Sequence, residues 1–341
     1  MMPTKTRKRV SHGSILGCAP HAPLLCVLFA VAGATGCASG ARDRACVPAI
    51  EGPWWTIAHD PDLGPLTDPG QQPVDFAIWQ AADGTWQLWS CIRGTRCGGK
   101  TRLLHRWEGR RLTDADWKPM GVAMQADPNF GETPGGLQAP HVVKVGGGYF
   151  MAYGDWENIC LATSTDGKHF ERRRNPDGKT GIFSEGPGVN TRDPMLIRIH
   201  DRWHCYYTAH PDRHGAVYCR TSPDLLSWTA SRIAAYGGQA GDEPYAAECP
   251  HVVARSGWFY LFRTQRYGTD MQTSVYRSRD PMDFGVNDDR CLIGTMPVAA
   301  PEIITVGDRH YIASLLPSLK GIQIARLKWT PDTPTESSPR R

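Results

Sequence analysis
Sustained apolar periodicity of 3.6 residues is missing from this chain of 341 residues, so a two-domain α/β architecture has no helices to build on. An excess of charge is missing as well. Lys5, Arg7, Lys8 and Arg9 are the only charged side chains before residue 37, and beyond them 34 basic residues face 34 acidic ones. That balance leaves no basic footprint for nucleic acid. None of the 11 cysteines stands in paired C-x-x-C spacing, which removes the usual zinc signature. Disorder is excluded by 40% apolar and 9% aromatic residues, enough for a packed core. What the chain has in quantity is Trp (12), Gly (36) and Pro (27), the composition of many short strands joined by tight turns.

Residues 1–14 carry the leading positive charges, and residues 23–36 form an apolar stretch ending in small residues. That is a secretory signal layout, too short for a membrane span. Ala34-Thr35-Gly36-Cys37 resembles a bacterial lipobox, in which the cysteine is acylated after cleavage. The expected organisation is a lipoprotein-type signal peptide over 1–36, a tether over 37–52, one folded domain over 53–329 and a disordered tail over 330–341. The protein is then exported, held to the bacterial cell envelope through Cys37 or secreted, and meets a membrane only through that anchor. Export permits disulfides. Cys205 and Cys219 sit symmetrically about a turn near Asp212 and are expected to face each other across a hairpin; Cys91 and Cys97 are the next candidate pair.

The chain repeats a pattern, and the repeat decides the fold. Pro140, Pro194, Pro250 and Pro301 each open a short apolar strand, at spacings of 54, 56 and 51. A turn follows, at Gly146-Gly147-Gly148, His200-Asp201, Ser256-Gly257 and Gly307-Asp308, and then an aromatic strand such as Trp258 to Phe262. Three units close on a Ser-x-Asp turn, at Ser164 to Asp166, Ser222 to Asp224 and Ser278 to Asp280, with Phe170, Trp228 or Phe284 four positions after the Asp. A degenerate first unit begins at Asp75. One four-stranded sheet cannot bury both its faces, whereas radially arranged sheets pack against one another. The prediction is an all-β, five-bladed β-propeller of four-stranded antiparallel sheets, expected to be a monomer.

In such a ring the first strand of each blade lines the central channel. Asp75 opens blade one, Asp193 opens blade three within Arg192-Asp193-Pro194, and Glu248 opens blade four within Glu248-Cys249-Pro250. Carboxylates crowded into a narrow channel lose water and repel one another, which pushes their pKa values apart. Splitting a glycosidic bond needs that separation, with one group protonated and one ionised. His141 and His251 follow blade-opening prolines and are candidate sugar contacts together with Arg192, while Trp79 and Trp156 are candidate stacking surfaces. Trp54, Trp55, Tyr245 and Tyr267 also fall near segments expected to face the mouth. Glu185-Gly186-Pro187 imitates an acid motif but lies in the link between blades two and three.

Spacing and motifs together resemble the five-bladed glycoside hydrolases of families 43 and 32, over residues 54–329. Gln138-Ala139-Pro140-His141-Val142 looks like the family-43 Trp-Ala-Pro-Asp-Val of blade two, and Arg192-Asp193-Pro194 and Glu248-Cys249 look like the Arg-Asp-Pro and Glu-Cys motifs of family 32. Asp75 is followed by Phe76, where those families often carry Pro. The resemblance implies an exported glycosidase of arabinose- or xylose-type linkages acting with inversion: Asp75 the general base, Glu248 the general acid, Asp193 orienting Glu248 and tuning its pKa. It implies no metal and no cofactor here, because blade five offers Pro301-Glu302 where family 43 often has a His. Two other readings remain open: a retaining fructosidase or sucrose-type hydrolase with Asp75 as nucleophile, and a non-catalytic carbohydrate-binding propeller.

Overall fold
The structure is a computed structural model and describes residues 44–332; the leader, Cys37 and the end of the tail lie outside the described residues. Each strand-opening segment of the repeat forms the innermost strand of an antiparallel sheet. Blade one comprises Gln72–Gln80, Trp86–Arg93, Leu103–Gly109 and Lys118–Met124. Blade three comprises Thr191–Ile199, Arg202–Ala209, Ala216–Ser222 and Arg232–Tyr236, and blade four Glu248–Arg255, Trp258–Arg266, Gln272–Ser278 and Leu292–Met296. Blade two follows the same order with Gln138–Val145, Gly148–Gly154 and Ile159–Ser164, but its outer edge is split between the short strands Glu171–Arg172 and Gly181–Phe183. The inner strands neighbour one another in the cyclic order one, two, three, four, five and back to one, so the sheets form a closed five-bladed propeller.

The Ser-x-Asp turns repeat physically as well as in sequence. Asp166 Oδ1 accepts from the amides of Lys168 and His169, and Asp224 Oδ1 from those of Leu226 and Ser227. Such side-chain capping lets a polar loop close without orphaned amides. Apolar packing lies between blades. One cluster joins Tyr206 and Cys219 of blade three to Leu261 and Phe284 of blade four; another joins Ala152 and Ile159 of blade two to Leu196 and Cys205 of blade three. Cys205 and Cys219 therefore face opposite sides of one sheet. The register pairs Cys219 with Tyr206, one residue along from Cys205, and a one-residue offset reverses the face. The expected disulfide is not formed, and all eight described cysteines are free thiols.

Blade five departs from the expected boundaries. Its strands Glu302–Val306, Arg309–Leu315 and Gly321–Pro331 are completed by Cys46–His59 from the other end of the described chain. Residues 46–52, expected to be tether, are strand: Cys46 through Glu51 pair with Pro331 through Arg326, and the Cys46 amide donates to Tyr260 Oη at 2.9 Å. The folded domain thus runs from Cys46 to Pro331 rather than from 53 to 329. The reason is the exposed edge of Gly321–Pro331, whose unpaired amides and carbonyls need a partner strand. A chain that starts at residue 53 is expected to melt at least about 5 °C lower than one that starts at 44, as several lost ladder bonds would require. An unchanged melting temperature would show that this strand does not close the ring.

Candidate active site
The site is built by one backbone device used five times. At the start of each inner strand the chain turns through a non-glycine residue with positive φ: Asp75 (38°), Ala139 (20°), Asp193 (56°), Cys249 (46°) and Ala300 (49°). In blades one to four the pairing with the next strand slips at this point. A bulge of this kind re-aims its side chain, and here it aims all five at the axis. Asp75, Ala139, Asp193, Cys249 and Ala300 ring one narrow neck. Phe76 stands in the ring position that Pro fills in the other blades, and the positive φ at Asp75 forms without the proline.

Layers follow from this register. The residues one position earlier, Val74, Gln138, Arg192 and Glu248, line a cavity of about 360 Å³ above the neck, together with Asp75, Arg93, Arg102, Trp156, Asn190, Tyr245 and Tyr267. The residues two positions later include His141, His251 and Glu302, which line the cavity of about 540 Å³ at the opposite mouth. Asp75, Asp193 and Glu248 are thus brought together, with Arg192. The two histidines and Trp79 are not beside them.

Within the cluster, Arg192 is the buried cation. Its Nε donates to Glu248 Oε1 at 2.8 Å, its Nη2 donates to the same oxygen, and its Nε lies 3.8 Å from Asp193 Oδ2. Burial opposes the Arg192 charge, but Glu248 and Asp193 hold its pKa above the ordinary value. Asp193 sits deepest. Burial first, then the charges of Asp75 and Glu248, push its carboxyl well above the usual range, against the pull of Arg192 and the Cys249 amide, which donates to Oδ2 at 3.0 Å. Asp193 Oδ1 has no partner.

Two donors bridge the carboxylates. The Cys249 thiol, held protonated by burial and by the surrounding acids, donates to Asp75 Oδ1 at 3.1 Å and lies 3.2 Å from Tyr267 Oη. Tyr267 Oη stands 3.4 Å from Asp75 Oδ1 and 3.4 Å from Glu248 Oε2. Burial likewise keeps Tyr267 a phenol. Gln138 and Asn190, both buried, point amide atoms with no hydrogen-bond partner into the same region. Trp156 lines the cavity from a strained backbone (φ 87°), and Tyr245 lines it from an exposed position.

The remaining candidates have other work. The His141 Nδ1 accepts from the Leu196 amide of blade three and the His251 Nε2 from the Ile303 amide of blade five, so each ring staples neighbouring blades. Those bonds leave the other ring nitrogen of each neutral imidazole as a donor rather than a lone pair. His141, His251 and Glu302 cluster closely enough for a metal ion, but neither imidazole offers a free lone pair to one. Burial lowers the His141 pKa to about 4, which keeps it neutral. Trp79 is packed against Trp89 and Phe170 and donates to the Gly167 carbonyl at 2.8 Å. Trp54 and Trp55 pack away from the cavity. Glu185 is consumed by Tyr207, Arg220 and Ser231. Arg93, Arg102 and Asn190 carried no sequence signal, and Gln138 was visible only as the first residue of a motif.

No family model matches the chain. A stretch of 94 residues is 40% identical to a probable sucrose-6-phosphate hydrolase of Psychromonas ingrahamii, covering 27% of this chain and 16% of the relative. A stretch of 123 residues is 32% identical to a sucrose-6-phosphate hydrolase of Escherichia coli, covering 35% and 24%. The chain thus spans less than a quarter of the length of the curated relatives it matches. Among solved structures it is similar to a thermostable family-43 glycoside hydrolase, with a TM-score of 0.57 and 17% identity over 81% of this chain and 98% of that one. It is also similar to the family-32 β-fructofuranosidase of Bombyx mori, with a TM-score of 0.58 and 16% identity over 81% and 65%. Both likenesses show the five-bladed fold.

The raised pKa of Asp193 has a consequence for stability. Its favourable contribution is complete below the unfolded pKa and is lost as pH rises through the folded one. Asp193→Asn is therefore expected to raise the melting temperature at pH 7 by roughly 2–4 °C, the shift that about 1 kcal/mol produces in a domain near this size. The gain shrinks as the pH is brought down toward the ordinary carboxylate range. A destabilised variant at pH 7, or a gain that grows on acidification, would contradict the assignment.

Proposed function
We propose that this chain is a glycoside hydrolase whose Asp75 and Glu248 act on a sugar held in the cavity above the neck. The observation that supports it best is the Tyr267 hydroxyl, 3.4 Å from an oxygen of each carboxylate, at the floor of a cavity walled by unpaired polar atoms. Buried amides and carboxyls without partners cost free energy unless a ligand satisfies them, and a polyhydroxylated sugar does. The same hydroxyl limits the separation of the two carboxylate oxygens to twice 3.4 Å. Retaining enzymes hold the pair about 5–5.5 Å apart and inverting ones about 6.5–9.5 Å, so this limit takes in the retaining distance and only the lower edge of the inverting range, and retention is the reading adopted. Asp75 then attacks the anomeric carbon, with the Cys249 thiol fixing its Oδ1, and Glu248 protonates the leaving oxygen before activating water in the second step. Asp193 Oδ1, buried at the neck, has no hydrogen-bond partner among the described residues.

The names of the structural neighbours point to arabinose-, xylose- or fructose-type glycosides as the sugars to try first. Export and lipid attachment at Cys37 accompany this proposal and rest on the leader alone. On the aryl glycoside that the wild-type protein cleaves fastest, Glu248→Gln is expected to lower kcat by about 10²–10⁴-fold, the usual worth of a general acid–base group, and Asp75→Asn by at least as much, because the covalent intermediate no longer forms. Near-full turnover by either variant removes that residue from the chemistry. A wild-type protein that binds these sugars yet cleaves none is the carbohydrate-binding alternative.

A further inference from the structure
Arg192, Arg172 and Arg220, buried or half-buried at blade junctions, are matched to Glu248, Glu132 and Glu185, and the fully buried Arg263 spends its donors on the carbonyls of Ala246, Gly237 and Gly241. Two arginines lining the candidate site are not. Arg93 gives Nε and Nη2 to the neutral Gln72 Oε1, at 2.9 and 2.7 Å. Arg102 makes one long contact, of Nη1 with Cys91 Sγ at 3.9 Å, and among the described residues it forms no ion pair with a carboxylate; burial opposes its charge, and its surroundings, Asp75 and Glu248 among them, favour it from beyond ion-pair distance. Burial pushes the Cys91 thiol up to about 12, so it is not a counter-anion. Both guanidinium groups line the cavity wall supplied by blade one.

The position of Arg102 is engineered by contacts between blades. Its amide donates to the Gly135 carbonyl at 2.8 Å, and the Lys100 amide donates to the Pro134 carbonyl at 2.9 Å. Gly99 makes this approach possible: its φ is +57°, and a Cβ there would lie 2.0 Å from the Pro134 carbonyl oxygen. The Arg102 guanidinium then stands 5.4 Å from the centre of the Trp156 ring, with the Lys100 ammonium 4.6 Å from that centre. A cation fixed over an aromatic face and short of acceptors keeps its donors free for a ligand. The chemistry of bond cleavage does not explain it, because the oxocarbenium-like transition state is itself positive.

We propose that the saccharide carries an anionic substituent, a carboxylate, sulfate or phosphate, which seats on Arg102 and Arg93 beside Trp156. This rests on the proposed function only in taking the cavity to be the sugar site. The test needs no turnover, so its failure and that of the hydrolase reading are read separately. Ligand-observed NMR on the wild-type protein would compare glucose and galactose with glucuronate, galacturonate and the 6-sulfates and 6-phosphates of both sugars. The arms identify which anion is meant. At least one anionic arm is expected to bind roughly tenfold or more tightly than its neutral partner, as charge-assisted bonds to guanidinium would give. Arg93→Gln/Arg102→Gln should erase that ratio, while Arg102→Lys retains most of it. Should the double variant fail to fold, Arg102→Gln alone decides. An anionic arm that never outbinds its neutral partner overturns the proposal. So does a preference that survives the loss of Arg102, which would leave Arg102 as a counter-charge to Asp75.

Discussion

A single left-handed residue at the head of each inner strand sets the geometry of everything at the centre of this ring. In a regular strand, side chains alternate between faces, and the channel would receive every second residue. The inserted bulge breaks that alternation and stacks the blade-opening residues in layers. Arg192 and Glu248 reach the upper cavity, Asp75, Asp193 and Cys249 reach the neck, and His141, His251 and Glu302 lie below the prolines. Each such residue costs on the order of 1–2 kcal/mol outside glycine, so the closed ring must over-determine it. The final blade, joined from both ends of the described domain, is what closes the ring.

Crowding acids at an axis has an electrostatic cost, and the structure distributes it unevenly. Arg192 is committed to Glu248 and reaches Asp193 only at the limit of an ion pair. Asp75 is served by neutral donors, the Cys249 thiol and the Tyr267 phenol. Asp193, the most enclosed of the three, bears the penalty in its raised pKa. The stapling histidines secure the adjoining strands from below, which keeps the strained residues from relaxing.

What could be read from the sequence was local chemistry repeated at a fixed interval. Prolines about 55 residues apart and Ser-x-Asp turns declare blades because each turn caps its own backbone. Asp193 and Glu248 are legible because a blade-opening proline follows each within two residues, and Asp75 because it opens the degenerate first unit. Residues 46–52 were misread because an outer strand carries no such mark and its pairing spans nearly the whole domain. His141 and His251 were placed with the sugar because the depth change after each bulge is a backbone effect that spacing does not reveal. Symmetry about a turn does not fix which residues face each other, and the register of the Cys205 and Cys219 strands is offset by one residue. Arg93 ends the second strand of blade one and Arg102 precedes its third, positions the repeat does not mark, and Arg102 reaches Trp156 only through contacts with the segment leading into blade two.

Tyr267 stands between Asp75 and Glu248, and the proposal that Asp75 acts as nucleophile rests on that placement. The most direct measurement is the anomeric configuration of the first sugar released from the fastest-cleaved aryl glycoside, followed by proton NMR before mutarotation. The expected result is that the substrate's configuration is kept. Release of the opposite anomer would contradict it.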